Sequence, residues 1–208
     1  MYSNFHRLLK QKEQAMSTQH QHRQMHLDDY LNFELLSETK HELIDGEIVA
    51  MTGASANHNT LSLNIASELR AKLKGTDCQS FIADMKLKVG QDCFYPDVML
   101  VCGKDNESEI YKTSPILIVE VLSKSTRKFD QTYKRLRYQN IPSLEEYVLI
   151  EQDKGEVIVF ARKEHWNPSY YYLGDEVPFY SLGLTIAVEE IYYQVNNEDV
   201  TNFLQEKN

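Results

Sequence analysis

No stretch of this 208-residue chain is apolar over the roughly 20 residues needed to span a bilayer, so a membrane helix is not expected. The first 25 residues, MYSNFHRLLKQKEQAMSTQHQHRQM, contain no apolar secretory segment and are rich in Gln, His and Lys, so a cytoplasmic protein is expected. Cysteine is scarce: Cys78, Cys93 and Cys102 are odd in number and form no C-x-x-C pair. Neither a disulfide framework nor a thiolate zinc site is expected, and reduced structural thiols are the default reading. Repeats and low-complexity runs are lacking too, and a chain of this length suits one domain with a substantial core. Positive charge is also short. With 22 Lys and Arg against 31 Asp and Glu, the net charge of −9 argues globally against a polyanionic partner. That deficit is local, because residues 145–208 hold thirteen acids against four bases, a net of −9, and leave the rest neutral. Within the neutral part, Lys124, Arg127, Lys128, Lys134, Arg135 and Arg137 face one acid, Asp130, and form a basic patch.

Residues 1–25 lack periodicity and read as a flexible extension, 26–195 as the domain and 196–208 as a C-terminal tail. HLDDYLNFELLS reads as a short amphipathic helix, and HELIDGEIVAM as two strands hinged on Asp45-Gly46. Leu61, Ile65, Leu69 and Leu73 recur every four residues along a long helix that stops at Gly75. Three strand-like runs follow: CQSFIADMKLKV, FYPDVMLVC and SPILIVEVLS. The third is apolar from Ile116 to Leu122 except for Glu120, the pattern of a strand covered on both faces. A second helix is expected over 127–139, with Ser125 or Thr126 as its N-cap, Pro142 beyond its end, and Phe129, Tyr133 and Leu136 facing the core. EEYVLIEQ and GEVIVFARK read as strands joined by Asp-Lys-Gly. SYYYLG reads as an edge strand, and the stretch ending AVEEIYYQV completes the domain with a short helix. Helix, three strands, helix, strand makes an α/β fold, a mixed sheet flanked by helices.

Glu120 carries the functional argument. An ionised carboxylate inside a buried strand costs several kcal/mol unless paired. Asp97 follows Pro96 and leads straight into Val-Met-Leu-Val-Cys, so two carboxylates at the ends of neighbouring strands can converge on one cation. Oxygen donors of this kind favour Mg²⁺ or Mn²⁺. The ordinary alternatives are an Asp97 that caps nearby amides and a Glu120 satisfied by Arg137 or Arg135. On the second helix, Asp130, Lys134 and Tyr138 share a face at i, i+4 and i+8. Asp84 is read as a third carboxylate or a bulge residue facing water; Ser123, Ser125 and Thr126 as caps; Trp166 and Tyr171-Tyr172 as sheet packing.

Tyr95-Pro96-Asp97-Val98, followed by Ile118-Val119-Glu120-Val121-Leu122-Ser123-Lys124-Ser125-Thr126, resembles the two halves of the PD-(D/E)XK motif of restriction-endonuclease-like proteins. With Glu42-Leu43-Ile44-Asp45-Gly46-Glu47, the helix near His58, Asp130 with Lys134 and Tyr138, and Glu146-Tyr147, the chain is similar over residues 27–193 to the Uma-two family of restriction-endonuclease-like proteins. The motif would place lysine where Leu122 stands, and the resemblance implies a displaced lysine from the next helix. Lys134 is the expected residue, with Lys86 and Lys124 in reserve. The resemblance implies a restriction-endonuclease-like αβββαβ core and a Mg²⁺- or Mn²⁺-dependent nuclease acting on DNA. Its candidate catalytic residues are Asp97, Glu120, Lys134, Glu42 and His58, and its candidate metal ligands are Asp97 and Glu120. Lys124, Arg127, Lys128 and Arg135 are the candidate nucleic-acid contacts. Two rival readings stand beside it: an inactive nuclease-fold module that binds nucleic acid or a protein, and an oligomeric scaffold, a homodimer for instance, joined through the C-terminal aromatic strands.

Overall fold

The structure is a computed structural model and describes residues 24–103 and 108–207. The expectation of a flexible extension over 1–25 falls almost entirely outside those residues. Helix α1 (Leu27–Glu34) leads into strands β1 (His41–Ile44) and β2 (Glu47–Ala50), joined as expected by Asp45-Gly46. Both turn residues have positive φ, 49° and 82°, the pairing that lets a two-residue hairpin follow the strand twist. Helix α2 (Ala56–Lys72) is the long helix read from the leucine spacing, with Ser55 as its N-cap.

The first two strand-like runs divide, and this corrects the reading of each as one strand. CQSFIADMKLKV becomes β3 (Cys78–Ile82) and β4 (Lys86–Val89), and FYPDVMLVC becomes β5 (Asp92–Phe94) and β6 (Val98–Cys102). The breaks fall at Ala83, whose φ of 40° ends the first strand, and at Tyr95-Pro96, where proline cannot donate to a ladder. The chain thereby crosses between two sheets. β4 and β5 join β1, β2 and β7 (Tyr111–Lys112) in a small sheet of order β2-β1-β5-β4-β7. β3 and β6 enter the main sheet beside β8 (Leu117–Leu122).

A helical stretch, α3, follows β8. It runs as an α-turn Arg127–Phe129, a π-helical segment Asp130–Lys134 and a final α segment Arg135–Gln139. Strands β9 (Glu146–Glu151), β10 (Glu156–Ala161) and β11 (Pro168–Tyr172) complete a main sheet of order β11-β10-β9-β8-β6-β3. β8 runs parallel to β9 and antiparallel to β6, so the sheet is mixed. A hairpin of β12 (Glu176–Phe179) and β13 (Leu184–Ala187), a short helix α4 (Val188–Ile191) and helix α5 (Glu198–Glu206) close the chain. The residues read as a C-terminal tail thus carry a helix, capped by Asn197, whose Val200 is buried.

Every side chain of β8 is buried, as its apolar run implied. Val119 and Val121 face α2 and pack with Leu61 and Ile65, while Ile118 and Leu122 face Tyr138 of α3 and Phe94 and Leu87 of the small sheet. Two cysteine readings need correction. Cys78 and Cys102 stand opposite each other in the β3–β6 register and are joined by a disulfide, leaving Cys93 as the free thiol. Their separation of 24 residues matches no sequence motif, and antiparallel pairing alone makes them neighbours.

Candidate active site

Glu120 sits near the C-terminal end of β8 with its side chain on the α3 face. Neither arginine named as its ordinary partner reaches it. Arg137 bonds Tyr133 and pairs with Asp45 and Asp92, and Arg135 lies over the Phe160 ring. Lys134 takes the place, with Nζ 3.1 Å from Glu120 Oε1, and the Tyr138 hydroxyl donates to the same oxygen at 3.0 Å. Lys134 Nζ also lies 2.9 Å from Glu42 Oε1 and 3.6 Å from Asp130 Oδ1.

The local fold explains this gathering. On β1, Leu43 turns toward Tyr30 under α1, so alternation sends Glu42 to the opposite face, where α3 lies. On α3, the buried residues are Asp130, Lys134 and Tyr138. This corrects the expectation that Phe129, Tyr133 and Leu136 form the core-facing stripe: Tyr133 packs against the core while only half-buried, Phe129 is half-buried, and Leu136 is exposed. Leu136 is 59% exposed, whereas Lys134 is 6% exposed. The polar face is turned inward because Glu42 and Glu120 meet Lys134 there and Glu120 accepts from Tyr138. Thr126 stands at the N-cap position, as expected. Thr126 makes no side-chain cap bond, and the Ser123 hydroxyl instead accepts from the Thr126 N–H at 3.2 Å.

Asp97 stands just before β6, and continuing the Val98–Val119 register places it opposite Glu120. Its N–H faces Glu120 Oε2 at 3.4 Å, its Oδ2 accepts from the Val121 N–H at 2.7 Å, and its Oδ1 meets His58 Nε2 at 2.8 Å. The candidates Asp97, Glu120, Lys134, Glu42 and His58 are therefore brought together. The four proposed backbone contacts are less uniform. Lys124 and Lys128 are exposed, Arg127 is held by Glu151 and Asp153, and Arg135 is packed on Phe160. Lys86 lies over the Tyr95 ring and Asp84 pairs with Lys40.

One supporting layer escaped the sequence reading. Glu34 of α1 is buried, its Oε1 accepts from the Tyr95 hydroxyl at 2.9 Å, and the Tyr95 N–H in turn donates to Glu42 at 3.1 Å. The signal was available, since Leu27, Tyr30 and Glu34 share one face at i, i+3 and i+7, an acid on an apolar stripe.

Three carboxylates thus surround one ammonium, with Asp97 beside Glu120 as a fourth acid nearby. Burial raises the Glu120 carboxyl well above the usual carboxylate range, opposed by Lys134 and reinforced by Asp97, Asp130 and Glu42. Asp130 is raised likewise by burial. For Lys134, burial pulls downward, yet Glu120, Glu42 and Asp130 outweigh it and hold the ammonium well above its ordinary value. Negative charge is in surplus, a condition that protons or a divalent cation relieve. Among the described residues no three His, Cys, Asp or Glu groups are already drawn around a common ion position. Glu120 Oε1 faces Lys134, and Asp97 Oδ1 faces His58. In donor type and charge the set fits a hard divalent cation held by Asp97 and Glu120.

A mixed sheet with flanking helices, carrying a strand-end Asp opposite a strand Glu, defines a restriction-endonuclease-like protein. Residues 27–189 match the family model Uma2, described as "Putative restriction endonuclease", and the chain belongs to that family. Two relatives from Synechocystis sp. are similar. The uncharacterized protein slr1290 is 34% identical over 170 residues, covering 79% of this chain and 90% of the relative. The uncharacterized protein sll1609 is 40% identical over 129 residues, covering 60% and 73%. A crystal structure described as a putative nuclease belonging to DUF820, from Anabaena variabilis, superposes with a TM-score of 0.69 at 17% identity, covering 83% of this chain and 99% of that one. At that identity the likeness establishes the fold. No helix among the described residues is long and apolar enough to cross a membrane.

Proposed function

We propose that this protein is a metal-dependent nuclease that hydrolyses phosphodiester bonds in DNA. The observation that carries the reading is the 3.1 Å contact between Lys134 and Glu120, which supplies from α3 the lysine that Leu122 cannot provide. Leu122 is fully buried on the same face of β8, packed with Tyr138 and Phe94. Asp97 and Glu120 would hold Mg²⁺ or Mn²⁺, and the ion, when bound, supplies Lewis-acid stabilisation of a phosphate and a more acidic water. The residues contribute the rest. Glu42 and Asp130 hold the Lys134 ammonium beside Glu120, where it would orient a water and offset charge on the phosphate. Tyr138 holds Glu120 Oε1, which leaves Oε2 directed toward Asp97. Lys124 and Lys128 are exposed at the start of α3 and can meet the phosphate backbone.

The rival reading, a module that binds without cutting, draws on one observation: Lys134 is already shared among three carboxylates. Plasmid and single-stranded DNA incubated with Mg²⁺ or Mn²⁺ separate the two. Cleavage is expected for the wild type and a fall of about 100-fold or more for Asp97→Ala and Lys134→Ala. Cleavage unchanged in Asp97→Ala would remove the nuclease reading, and intact DNA with retained binding would establish the module.

A further inference from the structure

We propose that the face of the main sheet beyond α3 is a platform for an unpaired strand of DNA, with bases stacked on Tyr170 and Tyr172. The inference rests on the nuclease reading above only for the kind of polymer, and it adds the form in which that polymer is held.

β11 is an edge strand whose side chains alternate between two environments. Tyr171 packs on the α2 side of the sheet, in line with the packing expected of it, whereas Tyr170 and Tyr172 stand on the α3 side and are 52% and 49% exposed. That side also carries the candidate active site. Glu120, Leu149, Ile158 and Tyr170 are successive partners across β8, β9, β10 and β11, which puts the tyrosine in one row with the glutamate, about 14 Å away at roughly 4.8 Å per strand. An open cleft of about 560 Å³ lies between helix and edge strand, with Arg127 and Gln131 of α3 on one wall and Ile158 and Tyr170 on the other. Its acids are already matched: Arg127 holds Glu151 at 2.6 Å and Asp153 at 3.3 Å, and Lys154 holds Glu156 at 2.8 Å. Such walls suit a nucleobase, with its flat π-face and hydrogen-bonding edges, better than a phosphate. Positive charge for the backbone stands around the cleft. One turn beyond Gln131, Arg135 lies over the Phe160 ring with no acid paired to it among the described residues. The exposed Lys124 and Lys128 flank the short link from the end of β8 to Arg127, so a backbone running from Glu120 to the cleft meets both. A duplex keeps its base faces stacked on one another, and only an unpaired strand can lay them on tyrosine rings.

Fluorescence anisotropy of a labelled oligonucleotide, read in EDTA so that nothing is cut, tests the platform. A single strand is expected to bind the wild type about 10-fold or more tighter than the corresponding duplex. Tyr170→Ala combined with Tyr172→Ala should weaken the single strand about 10-fold or more and leave the duplex within about 3-fold, while Tyr170→Phe with Tyr172→Phe, which keeps both rings, should hold single-strand affinity within about 3-fold. Both side chains are exposed, so circular dichroism of the variants should match the wild type. Equal affinity for the two forms, or a double alanine variant that binds as the wild type does, would overturn the proposal. Binding of neither form would overturn it as well and leave the face to a protein segment. Asp97-dependent cleavage beside any of those results would keep the nuclease reading, whereas single-strand binding that needs both tyrosines, without cleavage in Mg²⁺ or Mn²⁺, would keep the platform and remove the nuclease.

Discussion

Lys134 answers to three carboxylates within 3.6 Å, and removing its charge strands all of them. Lys134→Met keeps most of the volume and is expected to cost roughly 3–5 kcal/mol near neutral pH, the range for breaking a buried ion pair. Urea melts at pH 7 and pH 5 check this, and the deficit should shrink at pH 5, where protonated carboxyls need no counter-ion. Cys93 gives a second residue-scale expectation. Burial pushes its thiol up from about 9 to about 12. Between those values the unfolded chain has lost a proton that the fold retains, so stability should fall as pH rises from 9 toward 12, by up to about 1.4 kcal/mol per pH unit. Cys93→Ala should flatten that slope, and urea midpoints across the alkaline range would show it.

Elements differ in how far the sequence disclosed them. β8 and Glu120 were legible because one acid interrupts an apolar run, and α2 because its leucines recur every four residues. The division of both early runs between two sheets was not. Ala83 turns left-handed with no residue type that advertises it, and Pro96 was read as a strand start when it marks a crossing. Apolarity alone does not disclose the buried face of α3, because its complement is a pair of carboxylates contributed by β1 and β8. The π-helical segment, which widens the helix around Asp130–Lys134, leaves no mark in composition. Cross-strand proximity likewise hid the Cys78–Cys102 bond, which ties the edge strand β3 to the strand that Asp97 leads into. For a 24-residue separation, reducing it is expected to lower stability by about 3 kcal/mol. Thermal melts with and without reductant test this, with Cys78→Ala insensitive to the reagent.

At the scale of the whole molecule, the site is assembled from parts that belong to different layers. Glu42 comes from the small sheet, Glu120 from the main sheet, Lys134 from α3 and His58 from the helix on the far face. The acidic segment reaches the basic one, since Glu151 and Asp153 pair with Arg127 between the exposed Lys124 and Lys128. The junction between the two sheets is held by Leu87 and Phe94 against Tyr138, with the Glu42–Lys134 pair at its heart. Parting these layers would disperse the acids before either sheet frays. Nuclease activity is therefore expected to vanish at a lower urea concentration than far-ultraviolet circular dichroism, and coincident loss of the two signals would contradict this. A nuclease made this way would carry its own safety catch: a copy damaged, half-synthesised or loosened by heat would lose the capacity to cut before losing its shape.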